Sequence, residues 1–296
     1  GMLAVLSGGG DGMTRQILLE LRWPRSAAAF VTGALLAMAG ALMQVLLRNP
    51  LADPYVLGIS GGAATGALLS MLFGLGGWWL QGSAFTGASL SMLLVFGLAR
   101  GSGAWSTHRL LLTGVVVAAG WGAVIAFLLA ISPEQGLRGM LFWLMGDLSG
   151  ARLPVIAAVL LTAGLVIALA IGRSLNLLTR GELAAQSLGV PVQILRTIIY
   201  LLASILTAFA VTLAGSIGFV GLIVPHLLRL AGVRDHRLLL PAAVLLGGSL
   251  LVTADTLART LLAPQQLPVG ILTAMVGVPL FLVLLYYSHK PAGVRT

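Results

Sequence analysis

Apolar runs of about the length a helix needs to cross a bilayer, roughly 20 residues, alternate with short polar breaks along almost the whole chain. The pattern predicts nine spans, at 25–47, 55–73, 78–99, 107–131, 152–172, 191–214, 216–231, 238–262 and 269–287. No break between them is long enough to hold a soluble domain. Residues 1–296 are therefore expected to form one all-α polytopic membrane domain. The run at 216–231 is short and interrupted by Gly218, Gly221 and Pro225. Such interruptions are tolerated at membrane depth only where protein or a water-filled cavity surrounds the backbone.

Two runs carry stripes of small residues at a spacing of four, Gly33, Ala37 and Ala41 in the first and Gly58, Gly62 and Gly66 in the second. Stripes of this kind let helix backbones approach closely. Packing inside one subunit is the ordinary reading, and a seam between two copies is the alternative.

Composition narrows the class. Charged residues make up 8% of the chain and hydrophobic ones 58%, with a mean hydropathy of +1.04. Soluble domains carry about 25% charged residues, so a chain of this size could not cover a water-facing surface. The net charge of +9 comes from basic residues scattered singly, not gathered in the stripe that nucleic-acid binding needs. With no cysteine, the chain has no disulfide, thiolate metal site or cysteine nucleophile. Four histidines and eight acids leave little material for another metal site, and none is expected. The start, "GMLAVLSGGGDG", is too short and lacks the basic residues of a cleavable signal.

The basic residues also predict orientation. The breaks after the first, third, fifth and seventh spans, with the C-terminal tail, hold eleven of the 17 lysines and arginines, against six on the other side. Positive charge collects in cytoplasmic loops, so the first set is expected to face the cytoplasm.

Enzyme signatures are missing. No GxxxxGK[ST] loop occurs, "GSGAWST" at 101–107 lacking both the lysine and the spacing. HExxH is absent, and the letters GxSxG occur at 58–62, "GISGG", within an apolar run instead of at a strand-to-helix turn. Among polar residues at membrane depth, Asp255 and Arg259 lie four apart in "TADTLART", the spacing of an ion pair on one helical face. The alternative places Arg259 at an aqueous vestibule. His226, after Pro225, reads as a satisfied helix-end histidine rather than a proton relay. In "RGELAAQSLGVP", Glu182–Leu188 is predicted as a short helix stopped by Gly189, with Pro191 opening the next span. It is either a knob for a partner or a plain surface turn.

Three longer stretches carry a family likeness: "LRWPRSAAAFVTGALLAMAGALMQVLLRNPLADPYVLGISGGAATG", "AGSIGFVGLIVPHLLRLAGVRDHRLLLPAAVLLGGSLLVTADTLART" and "LPVGILTAMVGVPLFLVLL". The chain from Leu21 onward resembles the FecCD-type permeases, membrane subunits of ABC importers for ferric siderophores, haem and cobalamin. The resemblance implies a ten-transmembrane-helix ABC importer permease of type II, working as a homodimer in the bacterial inner membrane. It implies two ATPase subunits below, which hold the ATP and Mg, and a periplasmic substrate-binding protein above. On this reading the chain binds no cofactor itself, and "MLAVLS" is what remains of the family's first helix.

The resemblance also assigns residues. "RNPLADP" matches a cytoplasmic gate, with Asn49 and Leu51 on the path. "WSTHRLLLTG" matches a second constriction formed by Ser106, Thr107 and His108, where His108 replaces the small hydroxyl residue of the cobalamin permeases. Within a cytoplasmic segment at about 176–190, Gly181, Glu182, Leu183, Ala184, Ala185, Gln186, Ser187, Leu188 and Gly189 match the part that couples to the ATPase. Arg22, Arg25 and Arg259 match arginines that dock the binding protein, their other reading being interfacial snorkelling. Two further classes remain open to the sequence. An ion-coupled secondary transporter would need an acidic or histidine relay, for which Asp255 and His226 are the candidates. A membrane enzyme would need a nucleophile and base, and no such pair is visible.

Overall fold

The structure is a computed structural model and describes residues 12–100 and 106–288. These residues form helices joined by turns. A short helix, Gly12–Gln16, and a π-helical turn, Ile17–Arg22, run into α1, Trp23–Leu46. Then follow α2 (Ile59–Leu72), α3 (Trp78–Arg100), α4 (Thr107–Ile131) and α5 (Glu134–Leu144). After these come α6 (Val155–Ala170), α7 (Gly172–Thr179), α8 (Glu182–Ser187) and α9 (Val192–Ala214). The chain closes with α10 (Val220–Leu230), α11 (His236–Thr260) and α12 (Val269–Ser288).

Five helices among the described residues are long and apolar enough to cross a membrane. A sixth span arises if α6 and α7, bent by 61° at their junction, count as one. The predicted spans at 55–73, 216–231 and 269–287 appear as shorter apolar helices. Each of the nine predicted runs therefore corresponds to a helix or bent pair. The sequence reading missed α5, which it left inside a loop.

The centre of the molecule is α1. Every residue from Val31 to Leu47 is buried, as expected of a helix apolar on all sides. It packs against α9, α10 and α11, and its small residues make this possible. A methyl group at Gly33 would strike the Gly247 carbonyl of α11, and one at Gly40 the Gly221 backbone of α10. Gly62 and Gly66 meet Gly87 and Ser83 of α3 in the same way. Both predicted stripes thus serve packing within the subunit. Gly58 differs from the expectation: it precedes α2 in a left-handed turn, φ +71°, instead of lying on the helical stripe.

The outward faces of α3 and α4 are apolar and exposed, with Leu90, Leu93, Leu98, Val115, Val116 and Phe127 each more than half accessible. The stretch before α10 is irregular, as its glycines predict. Its backbone is satisfied from within: the Tyr55 hydroxyl bonds both the N–H and the carbonyl of Ile217 at 3.1 Å, and Ser216 bonds Ser60 at 2.8 Å.

Candidate functional site

Two polar ends are separated by the length of α1. At its C-terminal end the helix closes in a Schellman arrangement: the Arg48 N–H bonds the Val45 carbonyl, and the Asn49 N–H bonds that of Gln44. The left-handed residue of this motif is Arg48, φ +48°, where glycine is the usual occupant. The following loop is tied residue by residue. Asn49 Oδ1 accepts the Leu51 N–H at 2.9 Å, and Asp53 Oδ1 accepts that of Tyr55 at 2.8 Å, capping a 3-10 turn, Pro54–Leu57. Pro50 and Pro54 stiffen it further, because each restricts the residue before it. Asn49 is exposed and Leu51 half-buried.

Asp53 is hydrogen-bonded in its charged form, yet burial prevails and pushes its carboxyl up to about 6. The 3-10 turn abuts α4, where a methyl at Gly114 would strike the Val56 carbonyl. The second expected constriction begins that same helix. Ser106 precedes α4 in an extended conformation, Thr107 is half-buried and His108 exposed. The rest of "GSGAWST", residues 101–105, lies outside the described residues.

The predicted short helix is present as α8, bounded by Gly181 (φ +128°) and Gly189 (φ +78°). Its Ala185 is buried against the body. Leu183 and Leu188 project outward with 82% and 66% of their surface accessible. Ala184, Gln186 and Ser187 are also exposed. Glu182 does otherwise. It turns back and accepts two bonds from Arg196 of α9, at 3.1 and 2.8 Å. A buried guanidinium thus braces the base of the projecting helix. Its neighbour α7 is tied to the start of α11, where Asn176 bonds Asp235 at 2.7 Å and the His236 N–H at 3.0 Å. The Arg237 N–H and then the Asn176 amide hold the Asp235 carboxyl below its usual value. Residues 48–50, 176–190 and 229–236 therefore meet at one end, the end to which the arginine distribution assigned them.

At the opposite end the expected pair is formed: Arg259 Nε lies 3.2 Å from Asp255 Oδ2. The same carboxylate, 1% exposed, also takes Arg25. Arg25 Nε is 3.1 Å from both carboxylate oxygens and its Nη2 is 2.9 Å from Oδ1. Arg25 Nη1 donates to Gln266 Oε1 at 2.8 Å. The three groups join α1, α11 and the turn beyond it. Arg25, expected at this end with Arg22 and Arg259, is held from within and only 8% exposed. Arg22 is exposed and Arg259 keeps an accessible edge. Sequence reasoning did not anticipate the Arg25–Asp255 contact, which joins residues 230 apart. His226 differs from the expectation at one atom: among the described residues its buried Nε2 meets no hydrogen-bond partner.

Apolar helices long enough to cross a membrane, a stiff loop after α1 and a small projecting helix braced from within describe a polytopic membrane subunit. The chain belongs to the FecCD transport family, which it matches over residues 1–287. It is an ABC importer permease. It is 44% identical to the hemin transport permease HmuU of Yersinia pestis, over 93% of this chain and 84% of that one. It is 43% identical to the cobalamin import permease BtuC of Halobacterium salinarum, over 92% and 74%. A solved structure described as an inward-facing, metal-chelate type ABC transporter shares the fold with a TM-score of 0.86 and 34% identity, over 94% of this chain and 89% of that one.

Proposed function

We propose that this permease moves a bulky metal chelate, a ferric siderophore, haem or cobalamin, inward across the bacterial inner membrane. The observation that carries the reading is its identity of more than 40% with permeases named for haem and for cobalamin over nearly its whole length. In this reading two copies form a homodimer of ten-helix subunits. Two ATPase subunits, holding ATP and Mg, bind at the cytoplasmic end, and a periplasmic binding protein docks opposite. The chain performs no bond chemistry.

On this reading the parts have distinct roles. Leu183 and Leu188 offer the ATPase an apolar contact on a helix too short to bend. The Glu182–Arg196 brace passes its displacement to α9, which packs on α1. The stiff loop with Asn49 and Leu51 gates the path together with Ser106, Thr107 and His108. A loop with few free torsions moves as a unit, so a small helix shift can open or close it. Reversing the population of two such states takes about 5.5 kcal/mol of differential binding, supplied by nucleotide on one side and the loaded binding protein on the other. At the outer end Arg22 and Arg259 meet acidic groups of the binding protein, while Arg25 fixes the α1–α11 corner behind them. Charge contacts of this kind set encounter rate and register more than affinity.

Co-expression with its ATPase and binding-protein partners tests the substrate. ATP hydrolysis by the reconstituted assembly is expected to rise with one of haem, a ferric siderophore or cobalamin loaded on the binding protein. No stimulation by any of the three contradicts the chelate assignment.

A further inference from the structure

We infer that the cavity between the end of α1, the loop after it, α7 and α10 is a binding site for a phosphate-type oxyanion. The cavity measures about 190 Å³, several times the roughly 30 Å³ that one water occupies in the liquid. Its charged walls are Arg48 and Arg229, and no acidic residue lines it. Among the described residues neither arginine has an acid within ion-pair distance. Arg229 is half-buried, and its enclosed Nη2 meets no hydrogen-bond partner among the described residues.

Three considerations favour an anion over water. A guanidinium with an enclosed nitrogen and no counter-charge is unfavourable. Water restores its hydrogen bonds but leaves its charge uncompensated. Second, Arg48 adopts a left-handed backbone at φ +48°, a conformation disfavoured for residues other than glycine. A side chain kept at such a position, facing the same cavity as Arg229, is placed there against local preference. Third, two arginines lining one cavity with an exposed rim at Asn49 and Pro50 suit the planar, forked recognition of phosphate oxygens. Gln44 is the wall that does not bind. Its Nε2 lies toward the Leu222, Ala52 and Gly221 carbonyls, and its Oε1 is left as an acceptor for a water or a protonated oxygen.

Location gives the site a consequence. Arg48 also lines the wider recess beside α8, with Arg180, and the acid there, Glu182, is engaged by Arg196. An anion between Arg48 and Arg229 would pin the loop after α1 to α10, next to the projecting helix. The oxygens can come from an anionic lipid headgroup at the membrane surface or from free phosphate.

The test uses the purified full chain. Inorganic phosphate, compared with chloride at equal ionic strength, is expected to raise the thermal midpoint and to slow arylglyoxal labelling of Arg48. Arg48→Gln and Arg229→Gln are each expected to weaken the thermal response roughly tenfold in phosphate concentration, the loss of one charge-assisted contact. Should Arg229→Gln fail to fold, Arg48→Gln alone carries the comparison. In nanodiscs, slower labelling with phosphatidylglycerol than with phosphatidylcholine, in the absence of phosphate, assigns the site to a lipid headgroup. No effect of either phosphate or anionic lipid overturns the inference, as does an effect unchanged in Arg48→Gln. Protection of Arg48 seen only with the ATPase bound also overturns it, because the counter-charge would then be the partner protein's.

Discussion

Asp255 holds two arginines on one carboxylate, which leaves the three-residue cluster with one net positive charge. Removing the acid strands Arg25, buried and charged, whereas removing Arg259 leaves the Arg25 pair intact. Breaking a buried pair from one side costs about 3–5 kcal/mol, so D255N is expected to lower the thermal midpoint far more than R259Q. Equal effects would show that the clamp does not hold α1 to α11. Asp53 gives a pH signature. Its folded carboxyl titrates near 6, above the unfolded value of 3.8, so the folded form binds more protons between the two. Its contribution makes stability fall as pH rises from about 4 to 6 and stay level above that. D53N keeps the oxygen that caps Tyr55 and is expected to flatten this slope in denaturation measured across that range. What the sequence revealed at this scale was local. The Asp255–Arg259 pair follows from a spacing of four, while Arg25 meets Asp255 only through the packing of two distant helices. Arg196 lies within 14 residues of Glu182, but the brace requires the chain to reverse at Gly189 and Pro191, which spacing alone does not fix.

Individual helices were legible wherever a long apolar run stood between polar breaks, and the short helix α8 was legible from its glycine and proline boundaries. α5 was not, although Pro133 and Glu134 mark its start and Leu137, Met140, Leu141 and Leu144 follow at helical spacing. An eleven-residue amphipathic helix is too short for a span and was absorbed into the loop. The 61° bend between α6 and α7 was also hidden, since the apolar run fades there without a proline. For α8 the structure separates two jobs. Replacing Leu183 and Leu188 together by serine is expected to reduce co-purification of the ATPase and leave the thermal midpoint unchanged. E182Q weakens the brace to Arg196 and is expected to lower the midpoint as well. Unchanged co-purification of the double leucine variant would move the docking contact elsewhere.

For the whole molecule, the sequence specified which segments are helical and left their neighbours open. Apolar residues alone did not tell α1 from the exposed helices α3 and α4, and the structure shows that α9, α10 and α11 enclose it through contacts such as Gly33–Gly247 and Gly40–Gly221. Gly40→Val would drive a side chain into the backbone of α10. The cost is expected to exceed the ~1–3 kcal/mol of ordinary overpacking, read as loss of monodisperse protein on size exclusion. The exposed apolar faces of α3 and α4 are where lipid or a second copy must lie. The central claim is that transport is driven from a separate ATPase through the end carrying α8. Proteoliposomes containing the permease, its ATPase and its binding protein test this directly, with uptake of the loaded chelate followed over time. Accumulation is expected to require ATP and to be indifferent to an imposed proton gradient. Accumulation by the permease alone, driven by that gradient without ATP, would contradict the account.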